Sequence, residues 1–489
     1  MYRLTLIVFL FSHSICYTQN YNPLNRELNY LVQSTIPDSA NFHSSIISYS
    51  PDYKKDSLGI NFKPVLNLKL INEGSSGISY FIQAGVCSYF NFTKTLNLHL
   101  NVLTNINKYP SFIYNQIDSN NVLPFLGRSN FKSNKNFFLT QISGSLNYSP
   151  RNYITLSLGR NKHFIGDGYR SLFLSDYAAP YSFASLTLQA WRFKYFALWA
   201  YLPDIDVTSG SSKFYGKYGA FHYLSINIGN RVNLGFFESV IWWANDTSTH
   251  RGFEWAYLNP VIFYRPVEYS MHSPDNSIMG GSLKVRLWKK TFLYGQLFID
   301  DLMVKEVVAN RGWYGNKYAI QVGMKCYNFC KIPFLFFQNE LNYVRPYVYG
   351  HSEGLHNYGV GYQALAHPLG ANFEEFLNVI RYSKKNWLFS SLVSITKTGI
   401  DSSSVNYGQN IYKTSRSRPG NYGVFLGQGL KQISSLVQLS ANYKVIPKWN
   451  MYFFTSIYAK NISNGFNAKN DFMFSIGIKT LLYNDEFDW

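Results

Sequence analysis

Three things are scarce in this sequence. Charge is the first: 15% of the 489 residues are charged, against roughly a quarter in an ordinary soluble domain. Acid is the second, with 27 Asp and Glu facing 45 Lys and Arg for a formal net charge of +18. Long apolar runs are the third. No segment after the N-terminal leader supplies the roughly 20 apolar residues of a spanning helix, which excludes a helical membrane protein. Catalytic signatures are missing too. There is no Gly-x-Ser-x-Gly elbow, and the glycine-rich stretch after Leu158 lacks the Gly-Lys-Ser/Thr ending of a phosphate loop. The neighbouring acids Asp300-Asp301 and Glu374-Glu375 point apart on a strand, so neither forms a glycosidase pair. No catalytic activity and no cofactor are therefore expected. A Ser–His phospholipase on a barrel rim stays open as a rival, because serines and ten histidines are present.

Aromatic residues are abundant. They make up 18% of the chain, led by 40 Tyr and 39 Phe. They are set in a repeating beat of two. Leu96, Leu98, Leu100, Val102 and Ile106 alternate with Asn97, His99, Asn101 and Asn105. The same alternation returns near the C-terminus, where Phe472, Phe474, Ile476 and Ile478 interleave with Ser475, Gly477 and Lys479. A period of two is a strand with one apolar and one wet face. Length, punctuation and address decide whether the apolar face meets a core or a membrane.

The address is export. Arg3 and the apolar residues 4–11 read as a secretory leader over residues 1–18, cleaved after Cys16 or Thr18. Residues 19–61 then form an extension with a helix expected over 22–34, capped by Asn22 with Pro23 at its first position. About eighteen strand segments follow, the first near 62–71 and the last near 470–483. Most have the roughly 9–11 residues that cross a membrane at a tilt. Tight connections such as 149–152, 229–231 and 383–386 alternate with long ones at 107–135, 161–182, 243–275, 300–314, 345–372 and 398–430. Short turns on one side and long loops on the other are the signature of an outer-membrane barrel. The expected fold is all-β, a transmembrane antiparallel barrel over residues 62–489. Its even strand number would leave both termini in the periplasm.

The basic excess then points to outer-membrane lipid and lipopolysaccharide phosphates. Nucleic acid is the wrong partner for an exported chain. Candidate contacts lie in two loops. In the first, Arg160, Asp167 and Arg170 offer charge to a polar ligand and Tyr169 offers a ring; the competing reading is a loop that folds inward, pairs its own charges and constricts the lumen. In the second, Arg345, Tyr347, Tyr349, His351, His367 and Glu374 gather aromatics with donors and acceptors, as sugar recognition requires. His351, His367 and Glu374 lack the short spacing of a metal site. Cys87 stands alone in a strand pattern. Cys326 and Cys330 flank a turn and are candidates for a hairpin disulfide.

These loops carry a family resemblance. The run Gly159-Arg160, Phe164-Ile165-Gly166-Asp167-Gly168, Arg170-Ser171-Leu172 and Leu174-Ser175 resembles the signature of the Wzi capsule-assembly family, and more closely its RemB-type gliding-motility branch of Bacteroidetes. Tyr343-Val344-Arg345-Pro346-Tyr347, Ala366-His367-Pro368-Leu369-Gly370-Ala371-Asn372, Leu258-Asn259-Pro260 and Asp275-Asn276 are similar to the same branch. The likeness spans about residues 150–380. It implies a barrel of about eighteen strands with a periplasmic N-terminal helix. It also implies a non-enzymatic, lectin-like hold on surface polysaccharide, and for the gliding branch a part in motility. The chain departs from capsule-binding members in its shorter, more divided loops, and in having Phe164-Ile165-Gly166 where they carry a Trp-Gly element. A passive diffusion channel, and a scaffold of a secretion or motility machine, remain as alternatives.

Overall fold

Alternation along each strand closes into a cylinder whose polarity is inside out. In a computed structural model, the described residues are 25–35, 42–43, 46–48, 59–74, 77–117, 121–129, 131–133, 135–205, 214–245, 251–260, 275–465, 467–482, 484 and 488. Eighteen antiparallel strands form one closed barrel. In order they are β1 (Gly59–Asn72), β2 (Ile78–Asn91), β3 (Leu96–Lys108), β4 (Asn136–Arg151), β5 (Ile154–Asn161), β6 (Tyr181–Ala190), β7 (Phe193–Tyr201), β8 (Lys217–Ile228) and β9 (Val232–Trp243). The second half is β10 (Asn276–Trp288), β11 (Thr291–Asp301), β12 (Lys317–Tyr327), β13 (Leu335–Val344), β14 (Phe373–Lys384), β15 (Trp387–Ile400), β16 (Leu430–Ile446), β17 (Met451–Ser463) and β18 (Ala468–Thr480). Each strand pairs with the next. β1 pairs with β18 from Leu68↔Ile478 to Asn72↔Phe474, which closes the cylinder as lipid requires.

On β3 the polar His99, Asn101, Asn105 and Asn107 are buried, while Val102 and Ile106 are exposed. The same inversion puts Leu156 and Leu158 of β5, Val322 of β12 and Phe474 of β18 on the outside. An apolar exterior around a polar interior is stable only against hydrocarbon. The hydrophobic core that remains lies inside the barrel. There Phe173 stacks on Phe237 of β9 at 4.6 Å, and Leu172, Leu174, Tyr349, Tyr358 and Leu365 are fully enclosed.

The two ends differ. The turn end joins β2–β3, β4–β5 and so on to β16–β17 by short connections. The loop end carries 109–135, 162–180, 202–216, 244–275, 302–316, 345–372 and 401–429. Exposed Phe92, Trp191, Trp288 and Trp387 ring the turn end, the position of an interfacial aromatic girdle.

The helix α1 (Arg26–Thr35) sits in the mouth at the turn end. Its cap is Asn25, whose Oδ1 accepts from the Glu27 and Leu28 amides, both at 3.0 Å. Asn22 and Pro23, expected at that position, lie outside the described residues, as do the leader and Cys16. Leu28 and Leu31 face a cluster that includes Phe336, Leu388 and Tyr452. Lys479 pairs with Glu27 at 3.3 Å.

The expected Cys326–Cys330 disulfide is not formed; both thiols are free. The outer face of β12 directs Cys326 Sγ to Thr291 Oγ1 at 3.1 Å, whereas Cys330 is exposed on the following turn with φ 52°. Cys87 is buried on the lumen side of β2 beside the Tyr89 hydroxyl, 2.9 Å away.

Candidate functional site

The loop 162–180 between β5 and β6 turns into the lumen and stays there. Apolar residues seat it, and Gln296 of β11 receives the Leu172 amide at 2.8 Å. Gly168 allows the close approach: a Cβ there would lie 2.5 Å from Glu340 Oε2 and 2.5 Å from the Arg170 carbonyl oxygen. Glu340 of β13 accepts from the Tyr169 amide at 2.7 Å, the Arg170 amide at 3.0 Å and the Tyr294 hydroxyl at 2.8 Å. With the Asn342 amide at 3.0 Å as well, four donors on one buried carboxylate give it the compensation that burial demands.

Arg170 is the hub. Its Nη2 lies 3.2 Å from Glu375 Oε1 of β14, and its Nη1 lies 2.9 Å from Asp488 Oδ1. Burial opposes the guanidinium charge, but Asp488 and Glu375 outweigh it and hold Arg170 well above its ordinary range. Glu375 Oε2 also accepts from Asn342 at 3.1 Å and meets His367 Nε2 at 2.9 Å. The Leu369 amide donates to His367 Nδ1 at 3.3 Å, so the ring proton sits on Nε2, facing Glu375. Burial pushes His367 below its usual value against the opposing pull of Glu375. With both ring nitrogens engaged, His367 has no lone pair left for proton abstraction.

Two further anchors complete the plug. Asp167 pairs with Lys284 of β10 at 3.0 Å and Lys325 of β12 at 3.2 Å. Asp176 pairs with Arg26 of α1 at 3.0 Å, and the Arg26 guanidinium lies 4.5 Å from the centre of the Tyr169 ring. The second loop, 345–372, also turns inward. Tyr349 donates to the Leu172 carbonyl at 3.0 Å and Tyr347 to the Asn406 carbonyl at 2.8 Å. Arg345 donates to the Val424 carbonyl at 3.1 Å. His351 Nδ1 accepts the Glu353 amide at 3.1 Å.

The structure thus gathers Asp167, Tyr169, Arg170 and His367 in one buried network, with Arg345, Tyr347, Tyr349 and His351 in the loop that packs on it. It separates Arg160 and Glu374. Arg160 shares the parity of Leu156 and Leu158 and is exposed on the outer wall. Glu374 faces outward to Lys397 at 2.8 Å, while its neighbour Glu375 faces the lumen. The wall partners Glu340, Lys284 and Lys325 were not singled out in the sequence, and Glu375 was read there only as an acid pointing away from Glu374. Their signal was a charge at mid-strand on the lumen parity.

Beside the plug a cavity remains, partly open to solvent. Strands β1–β4 and β16–β18 wall it, and Pro124, Phe125 and Leu126 of loop 109–135 cover it. Its wall is a ladder of amides: Asn67 donates to Gln83 at 2.6 Å, and Gln83 donates to Asn105 at 2.8 Å, across directly paired strands. The Gln141 amide nitrogen, buried on the same wall, donates to no atom among the described residues. Phe81, Tyr109 and Phe454 supply ring faces and Lys69, Lys162 and Lys479 make the lining basic, with Lys479 paired to Glu27 and Lys162 donating to the Phe125 and Asp176 carbonyls; no carboxylate is among the described residues that line the space. Amides and rings in a basic lining suit a hydroxyl-rich guest.

The chain matches no protein-family model and no curated protein sequence. Among solved structures it is similar to Wzi of Escherichia coli, an outer-membrane protein involved in group 1 capsule assembly and described as a carbohydrate-binding β-barrel. The identity is 12%, over 86% of this chain and 85% of that one, with a TM-score of 0.53. It is also similar to the outer-membrane protein OprD of Pseudomonas aeruginosa, at 10% identity over 89% of this chain and 97% of that one, with a TM-score of 0.46. The likeness to Wzi, together with the apolar exterior and the aromatic girdle, makes this fold a Wzi-like outer-membrane β-barrel.

Proposed function

We propose that this protein is a non-catalytic outer-membrane barrel that holds surface polysaccharide, with its termini in the periplasm and the amide-lined cavity as a saccharide contact. The observation that carries this reading is the cavity itself. Paired and unpaired amides beside ring faces fit sugar hydroxyls and C–H faces, and the lysines fit an acidic sugar. The resemblance of the loop motifs to the Wzi family supports it, as does the fold shared with a carbohydrate-binding protein. A part in surface gliding, with motility machinery as partner, rests on the likeness of the same motifs to the RemB-type branch.

A diffusion channel is the second reading. The two inward loops and their buried ion pairs argue against free passage through the lumen. The test is retention of acidic and neutral capsular polysaccharides by protein folded in detergent, compared with an Asn105→Ala/Gln141→Ala variant. Wild type is expected to retain acidic polysaccharide, and the variant to lose about tenfold in affinity. No retention by wild type overturns the reading; undiminished retention by the variant removes the cavity from it.

A further inference from the structure

The basic excess has an address on the barrel. At the turn end every short connection carries an exposed cation on it or beside it: Lys94, Arg151, Arg192 and Arg231 on the first four, then Lys289, Lys331, Lys385 and Lys448. None of these connections contains Asp or Glu. The loop end is different. Acids reach its surface and pair with cations there, as in Arg416–Glu353 and Lys397–Glu374, beside the exposed Arg160, Lys305 and Lys431. Like charges on a closed rim repel one another, so these cations cost stability unless an anion neutralises them.

Directly beside the collar, on the membrane side, stand the exposed rings of Trp191, Trp288 and Trp387. Arg192 lies 5.0 Å from the centre of the Trp191 ring. Rings at headgroup depth fix where the bilayer surface falls, and the cations sit at that level, able to reach it with their long stems. The collar therefore faces headgroup phosphates around the whole circumference.

We propose that the turn end is a docking collar for anionic phospholipid, selecting lipids with net negative headgroups from the leaflet it meets. Each Lys or Arg held at an anionic surface adds to the attraction, and screening by salt removes it. The site is distinct from the lumen and independent of any glycan there.

The rim tryptophans themselves report the test. The full chain is reconstituted in bilayers of phosphatidylcholine doped with brominated phosphatidylglycerol or, in parallel, brominated phosphatidylcholine. The signal is the quenching lost when Trp191, Trp288 and Trp387 are replaced by Phe. The anionic lipid is expected to be enriched about fivefold at these rings at low salt, and the preference should vanish at high salt. The variant Arg151→Gln/Arg192→Gln/Arg231→Gln/Lys289→Gln/Lys331→Gln/Lys385→Gln, checked for folding by its heat-dependent gel shift, is expected to quench equally with both lipids. Equal quenching of the wild type by the two lipids overturns the proposal, as does a salt-insensitive preference. A preference that survives in the folded variant also overturns it and moves the lipid contact to the loop end.

Discussion

Arg170 and Glu375 meet at 3.2 Å across the lumen, one from the loop between β5 and β6 and the other from β14, half the circumference away. The pair ties opposite walls together through the plug. Removing one partner of a buried pair strands the other charge, at a cost of about 3–5 kcal/mol. Arg170→Met is therefore expected to leave a heat-modifiable barrel with a loosened loop. Planar-bilayer recording should show conductance steps absent from the wild type, and silence in the variant would count against Arg170 as the lock.

Gly168 sets how closely the loop can approach the wall. Gly168→Ala drives a methyl group towards Glu340 and the Arg170 carbonyl, and such overpacking costs about 1–3 kcal/mol. The expected result is faster proteolysis within 162–180 at unchanged strand content by circular dichroism. A cleavage rate equal to that of the wild type would show that the wall yields.

Acid should weaken the inward loops. Burial pushes His163 of the first loop down to about 3. Burial, with His356 and Lys317 adding to it, does the same to His351 of the second. Unfolded, both titrate near 6.5. Between these values the unfolded chain binds more protons than the folded one, so stability is full above about 6.5 and is lost as pH falls from there towards 3. Melting temperatures measured at neutral pH and near pH 4.5 should diverge, and the divergence should shrink in His163→Phe.

The three thiols of the described residues should react in order of exposure. Cys330 is exposed, Cys326 half-buried and Cys87 buried. Maleimide is expected to label Cys330 first and Cys87 only after unfolding, with identical mobility on reducing and non-reducing gels. Joint protection of Cys326 and Cys330, lifted by reductant, would restore the hairpin disulfide.

The strands were legible because the bilayer enforces a rule on every second residue. Asn105 and Ile106 declare their faces without knowledge of their neighbours, and segments such as 136–147 and 373–384 fall within the observed β4 and β14. The direction of the loops was not legible. Whether Arg170 points outward or inward depends on Glu340, Glu375 and Asp488, which lie far along the chain and enter through the closed topology. Arg160 could have been placed from parity alone, since Leu156 and Leu158 already assign its face to the outside. Among the described residues the helix begins at Arg26, where the Asn25 side chain reaches two amides that lack intrahelical partners.

The anchors of the plug also impose an order in time. Asp176 is held by Arg26, ahead of the first strand, and Arg170 by Asp488, behind the last. A chain emerging from its N-terminus has the loop and its first tether early, but the second arrives only after β18. The last of the plug's tethers therefore forms only when the cylinder can shut. A barrel stalled one strand short is unsealed against lipid and lacks the Arg170–Asp488 tether, and the segment after Lys460 supplies both.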